Sequence, residues 1–213
     1  TPWQSIAFSN WIDESNKLAE EFSHKIAKFY PEISSHYGYT DYDGAAIDYR
    51  ASLRDETEAF YRDWSRKLKV DVMGTLDLNV RIDQKILAQF CDIWADNVKV
   101  DREEHVLPLA FDSMIGTQFI YTMVNFVSKH KGAEKQTIDR FKLYVNGVGG
   151  GKPLLVAVQE HVAEFIAQTD TGKIFWPTRG QVQKYLDKAD AQITSIEKIL
   201  NETKIDRSEW NAE

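Results

Sequence analysis

The chain's 213 residues, 43 per cent hydrophobic and 28 per cent charged, exclude a disordered acidic tail, and no apolar run approaches the ~20 residues of a membrane-spanning helix. A formal net charge of −7 repels nucleic-acid phosphates over most of the surface, so no nucleic-acid partner is expected. The single cysteine, Cys91, excludes an intrachain disulfide, a CxxC redox pair and a thiolate zinc cluster, and in the run Leu87-Ala88-Gln89-Phe90-Cys91 it reads as a small buried hydrophobe. A chain of this length buries roughly 70 per cent of its unfolded surface, enough for one substantial core, and residues 1–213 are taken as a single helical domain.

In chain order, apolar spacing is almost wholly helical. Phe8, Trp11, Leu18, Phe22, Ile26 and Phe29 mark one buried face of a first helix, which Pro31 stops. A second helix is predicted from about Ile47 to Leu68, with Leu53, Phe60, Trp64 and Leu68 as its stripe. Thr75 is a candidate N-cap for a third, followed by Asp77 in the first turn. The third helix is apolar over much of its circumference (Val80, Ile82, Ile86, Phe90, Ile93, Trp94, Val98), which predicts a central position in a bundle. Pro108 then breaks helical continuity, and Glu103–Phe111 reads as an extended strip over the core.

Helical spacing resumes at Phe119, Ile120, Met123, Phe126 and Val127, and again at Ile138, Phe141 and Val145. Pro153 suits an early helical position ahead of Leu155, Val158, Val162 and Phe165. The last helix, over about 180–200, carries a narrow seam of Val182, Leu186, Ala189, Ile193, Ile196 and Leu200. That seam is expected to pack within the chain, which predicts a loss of about 2–5 kcal/mol for Ile193→Ala. The predicted class is all-α: an irregular bundle of about seven helices with a long aromatic loop after the first.

Four features invite chemistry. Gly147-Val148-Gly149-Gly150-Gly151-Lys152-Pro153 suggests a phosphate loop, but Asn146 and Pro153 stand where that motif needs Gly and Ser or Thr, so it reads as a helix–helix connector. In the 36–44 loop, Tyr37, Tyr39 and Tyr42 with Asp41 and Asp43 are candidate ligand-binding residues, offering aromatic stacking surface beside hydrogen-bond acceptors. The same tyrosines would also serve to pack a long connection onto the helices. Glu21-x-x-His24 has the spacing of a di-iron ligand pair, yet no second Glu-x-x-His exists, and Glu160-His161 with Glu164 is a weaker cluster. No HExxH zincin motif and no GxSxG nucleophile elbow occurs, so no catalytic or metal-ligating residue is assigned.

Taken in order, Pro31-Glu32-Ile33, Tyr37-Gly38-Tyr39-Thr40-Asp41-Tyr42-Asp43, Leu76-Asp77-Leu78-Asn79-Val80-Arg81-Ile82-Asp83, Val106-Leu107-Pro108-Leu109 and Gly149-Gly150-Gly151-Lys152-Pro153 form a familiar series. The chain resembles the N-terminal part of a bacterial family known as domain of unknown function eight-eighty-five. Members are mostly helical and often exported, and their C-terminal portion carries a His-Glu-x-x-Pro-Gly-His-His motif that looks like a metallopeptidase site.

The resemblance implies that this chain is the non-catalytic front of a longer metal-dependent, peptidase-like hydrolase. Its partner is then its own C-terminal half, and zinc enters only with that half. A periplasmic or secreted location follows from the same resemblance, with the cytoplasm as the alternative. The motif itself is absent from these residues, so no catalytic residue carries over. Two other classes remain: a stand-alone module binding a peptide-like ligand through the 36–44 loop or the 180–200 helix, and, ranked last, a metal enzyme complete within the chain.

Overall fold

A computed structural model describes residues 11–50, 52–75, 77–103 and 134–202. The expected strip around Pro108, the spacing from Phe119 to Val127 and the tail after Glu202 lie outside the described residues. The all-α expectation holds. Seven helices are present among the described residues, namely α1 (Trp11–Ala27), α2 (Pro31–His36), α3 (Leu53–Asp71), α4 (Leu78–Glu103), α5 (Glu134–Asn146), α6 (Leu154–Gln168) and α7 (Arg179–Glu202), with no β-strand. Short 3-10 turns occupy Thr40–Tyr42 and Val148–Gly150. None of the described helices is long and apolar enough to cross a membrane. The chain divides into two compact units, Thr1–Ile26 with Ser52–Glu103, and Ala27–Ala51 with Glu104–Glu213.

In the first unit, α3 and α4 pack along their lengths around a core of Phe22, Tyr61, Trp64, Leu68, Ala88, Cys91 and Ala95. The sizes are complementary: α3 supplies two aromatic rings and a leucine at three- and four-residue spacing, and α4 meets them with Ala88, Cys91 and Ala95 at the same spacing. Small residues on one helix let the large residues of its neighbour approach without voids, the condition for interior packing density. Phe22 of α1 completes the cluster, edge-on to Trp64 at 5.3 Å between centroids and to Phe90 at 6.0 Å. Burial, followed by the neighbouring Asp92 carboxylate, pushes the Cys91 thiol up to about 12. Along the α3–α4 edge Lys69 and Ser65 bond the two oxygens of Asp92 at 2.7 and 2.6 Å, and Arg62 reaches Asp96 at 2.7 Å.

Helix boundaries depart from the sequence expectation at three places. Pro31 opens α2 at its first turn, where a proline lacks only a donor that would have had no partner, and α1 has already ended at Ala27. The second long helix begins at Leu53 and not near Ile47, and the Ile47 backbone N–H donates to the buried Glu32 carboxylate at 2.8 Å, tying this irregular segment to α2. Asp77, not Thr75, caps α4: its Oδ1 accepts the Asn79 N–H at 2.8 Å, whereas the Thr75 hydroxyl bonds Gln84 at 2.9 Å. At the start of α7, Thr178 and Gln181 form a reciprocal capping box, the Gln181 Oε1 accepting the Thr178 N–H at 2.8 Å and the Thr178 Oγ1 accepting the Gln181 N–H at 3.3 Å.

Candidate functional site

In the second unit a buried polar lock sets the geometry. Glu32, 4 per cent exposed, accepts the Ile47 N–H at 2.8 Å and the Tyr144 hydroxyl at 2.5 Å through one carboxylate oxygen. Arg140, 3 per cent exposed, donates from Nε to the Ala45 carbonyl and from Nη2 to the Tyr42 carbonyl and the Ser35 hydroxyl, each at 2.6 Å. Buried charges persist only when their polar atoms are hydrogen-bonded, and here each charge has its own set of partners while both act on the Tyr144 hydroxyl. Burial, followed by the Glu32 charge, raises the Tyr144 hydroxyl well above its ordinary value, so it acts as a donor at neutral pH. The lock ties the irregular segment 42–47 to α2 and α5 and so positions the non-helical residues 47–50 that follow.

Those residues form one wall of a cleft of about 240 Å³. Ile47, Asp48, Tyr49 and Arg50 face Leu154, Ala157, Glu160, His161 and Glu164 of α6, and Leu143, Val148, Gly151 and Lys152 close the end. Glu164 lies one helical turn from both Glu160 and His161, because residues three and four apart on a helix are neighbours. The Tyr49 and His161 rings meet edge to face, 5.5 Å apart at 84°. Lys152 Nζ pairs with Glu160 Oε2 at 2.5 Å, and Arg50 pairs with Asp48.

The glycine run builds the closed end. Gly147 has φ +87°, and a Cβ there would lie 2.2 Å from the Gly151 carbonyl oxygen, so only glycine permits the chain to fold back on itself. The run is a tight turn after α5, and it delivers Lys152 to a carboxylate of its own chain.

Of the sequence-derived candidates in the 36–44 loop, none lines this cleft. Tyr37 is 74 per cent exposed at the end of α2, Tyr39 and Tyr42 are half-buried, Asp41 is exposed and Asp43 is buried. What the loop demonstrably supplies is backbone: the Tyr42 and Ala45 carbonyls receive Arg140. Glu160, His161 and Glu164 all line the cleft without gathering into one cluster, whereas Glu21 is held by Lys25 at 2.7 Å and Lys67 at 3.3 Å, hydrogen bonds that lower its carboxyl. Among the described residues no three His, Cys, Asp or Glu side chains gather in a way that could hold a metal ion.

The sequence reading missed Glu32, Arg140 and Tyr144, which are scattered over more than a hundred positions.

A second surface feature lies in the first unit. On α4, Leu78, Ile82, Ile86, Phe90, Ile93, Trp94 and Val100 are between 41 and 61 per cent exposed. The central position expected for α4 is thus not matched by burial of these side chains: Ala88, Cys91 and Ala95 form its core face, Phe90 and Trp94 rest on Tyr61 of α3 at the margin, and the remaining large residues stay exposed. The α7 seam behaves alike: Val182, Leu186 and Ile193 are 41, 56 and 55 per cent exposed, so the expected packing within the chain is absent at these positions. No protein-family model, curated protein or solved structure matches the chain.

Proposed function

We propose that the chain is a non-catalytic helical scaffold, the front part of a metallopeptidase-like protein, which shapes a substrate cavity for a zinc-bearing C-terminal half. The observation that supports this reading is the apolar face of α4. It carries Leu78, Ile82, Ile86 and Ile93 in an open stripe opposite a face already used to pack α3. Single exposed apolar residues are ordinary, but a contiguous stripe along four or more helical turns is the composition of an interaction surface. The resemblance to domain of unknown function eight-eighty-five supplies the occupant.

The test starts from the encoding reading frame. The expected result is a downstream His-Glu-x-x-Pro-Gly-His-His segment that, produced separately, binds this chain, with binding weakened at least about tenfold by Ile86→Asp with Ile93→Asp. A frame that terminates at Glu213, or a downstream segment indifferent to these substitutions, overturns the proposal.

The exposed α7 seam favours a second reading, a stand-alone module that takes a peptide-like helix along Val182, Leu186 and Ile193. In that case Leu186→Asp abolishes capture of the helical peptide, and α4 substitutions leave it intact.

A further inference from the structure

Independently of the scaffold reading, we infer that the cleft between residues 47–50 and α6 is a binding site for a small organic cation, a protonated amine on a short aromatic or apolar body. Three observations carry this. First, the cleft encloses about 240 Å³, below the roughly 300–1,000 Å³ that hold drug-sized ligands, so its occupant has the size of a fragment. Second, its inner surface is apolar and aromatic: Ile47 and Leu154 are buried beneath it, and Tyr49 stands edge-on against His161, offering π-surface to a flat or cationic group.

Third, the lining charges are already matched in pairs, with one left over. Lys152 is held by Glu160 and Arg50 by Asp48, so an anion would compete at each base with a carboxylate already in place. Among the described residues Glu164 has no cationic partner, and it stands one turn beyond Glu160 on the cleft face of α6. An anionic ligand would have to displace an existing carboxylate, whereas a cationic one fills an open position. A cationic group that also rests on an aromatic face gains further from the ring quadrupole.

The experiment is a titration of the intact chain with benzylamine, with benzyl alcohol and benzoate as neutral and anionic isosteres, followed by amide chemical shifts and by calorimetry. Benzylamine is expected to bind saturably with a dissociation constant on the order of a millimolar, as a ligand of so few atoms allows. The shifts should centre on Tyr49, Ala157 and His161. Glu164→Gln, at an exposed position, should weaken benzylamine about fivefold or more and leave benzyl alcohol unaffected. Tyr49→Leu, which preserves the apolar wall, should weaken benzylamine as well. Benzoate binding as tight as benzylamine, an affinity unmoved by Glu164→Gln, or no saturable binding overturns the assignment. Because the titration needs only this chain, its failure leaves the α4 docking proposal standing, and the reverse is equally true.

Discussion

Removing Arg140 tests whether the buried lock, and not local propensity, holds residues 42–47 in place. Arg140→Met keeps the length and apolar stem of the side chain but deletes three hydrogen bonds of 2.6 Å, to the Ala45 and Tyr42 carbonyls and the Ser35 hydroxyl. Hydrogen bonds from a charged donor contribute about 1.5–3 kcal/mol each, and the sum overstates the loss because the acceptors relax together. The substitution also leaves the buried Ser35 hydroxyl and the Tyr42 and Ala45 carbonyls without their donor, and an unsatisfied buried polar group costs about 1–3 kcal/mol. Taken together, and allowing for joint relaxation, we expect a loss of about 3–5 kcal/mol.

The assay is urea unfolding followed by circular dichroism, together with hydrogen exchange at the Ile47 amide, which donates to Glu32. At about 1.4 kcal/mol per decade, local opening should speed exchange by a hundredfold or more. Tyr144→Phe, which removes one neutral donor, provides the internal scale and should cost about 1–3 kcal/mol. An Arg140→Met chain whose midpoint and Ile47 exchange match the parent refutes the reasoning, since the segment would then be held by something other than this network.

Gly147→Ala should disrupt the turn after α5, because its Cβ would meet the Gly151 oxygen at 2.2 Å, while Gly149→Ala, at φ +61° in open space, should cost only about 1–2 kcal/mol; paired thermal melts distinguish them. Cys91, buried with its thiol raised to about 12, should resist alkylation at pH 8 in the native chain and react in denaturant, as read by mass spectrometry. Ile193→Ala should shift the unfolding midpoint little, by less than about 1 kcal/mol, because the side chain is 55 per cent exposed. Asp92 has its carboxyl lowered by hydrogen bonds from Lys69 and Ser65, so its contribution is present above the unfolded carboxylate value of roughly 3.9 and is lost as pH falls through the lower folded value. Asp92→Asn should accordingly flatten the acid limb of the stability profile and leave its high-pH limb in shape.

The sequence by itself determined the helical class, because period-3.6 apolar spacing is a local property that survives any arrangement of the helices. It also determined that the glycine run could not be a phosphate loop, since Asn146 and Pro153 break the motif whatever the fold. Which face of a helix is buried was decided only by tertiary structure. On α4 the bulkiest stripe pointed to a central helix, yet packing against the large α3 residues Tyr61, Trp64 and Leu68 selects the small stripe of Ala88, Cys91 and Ala95. Hydrophobicity alone cannot rank two apolar faces, because the choice depends on the volume the neighbour presents.

The cleft was legible in part. Glu164 lies one turn from Glu160 and His161 by helical spacing, but the meeting of Tyr49 with His161 depends on residues 47–50, which apolar spacing had placed in a helix and which follow a segment bonded to Glu32 and Arg140. A buried carboxylate that takes a backbone N–H from fifteen residues away overrides local preference, and nothing in a one-dimensional pattern records that bond.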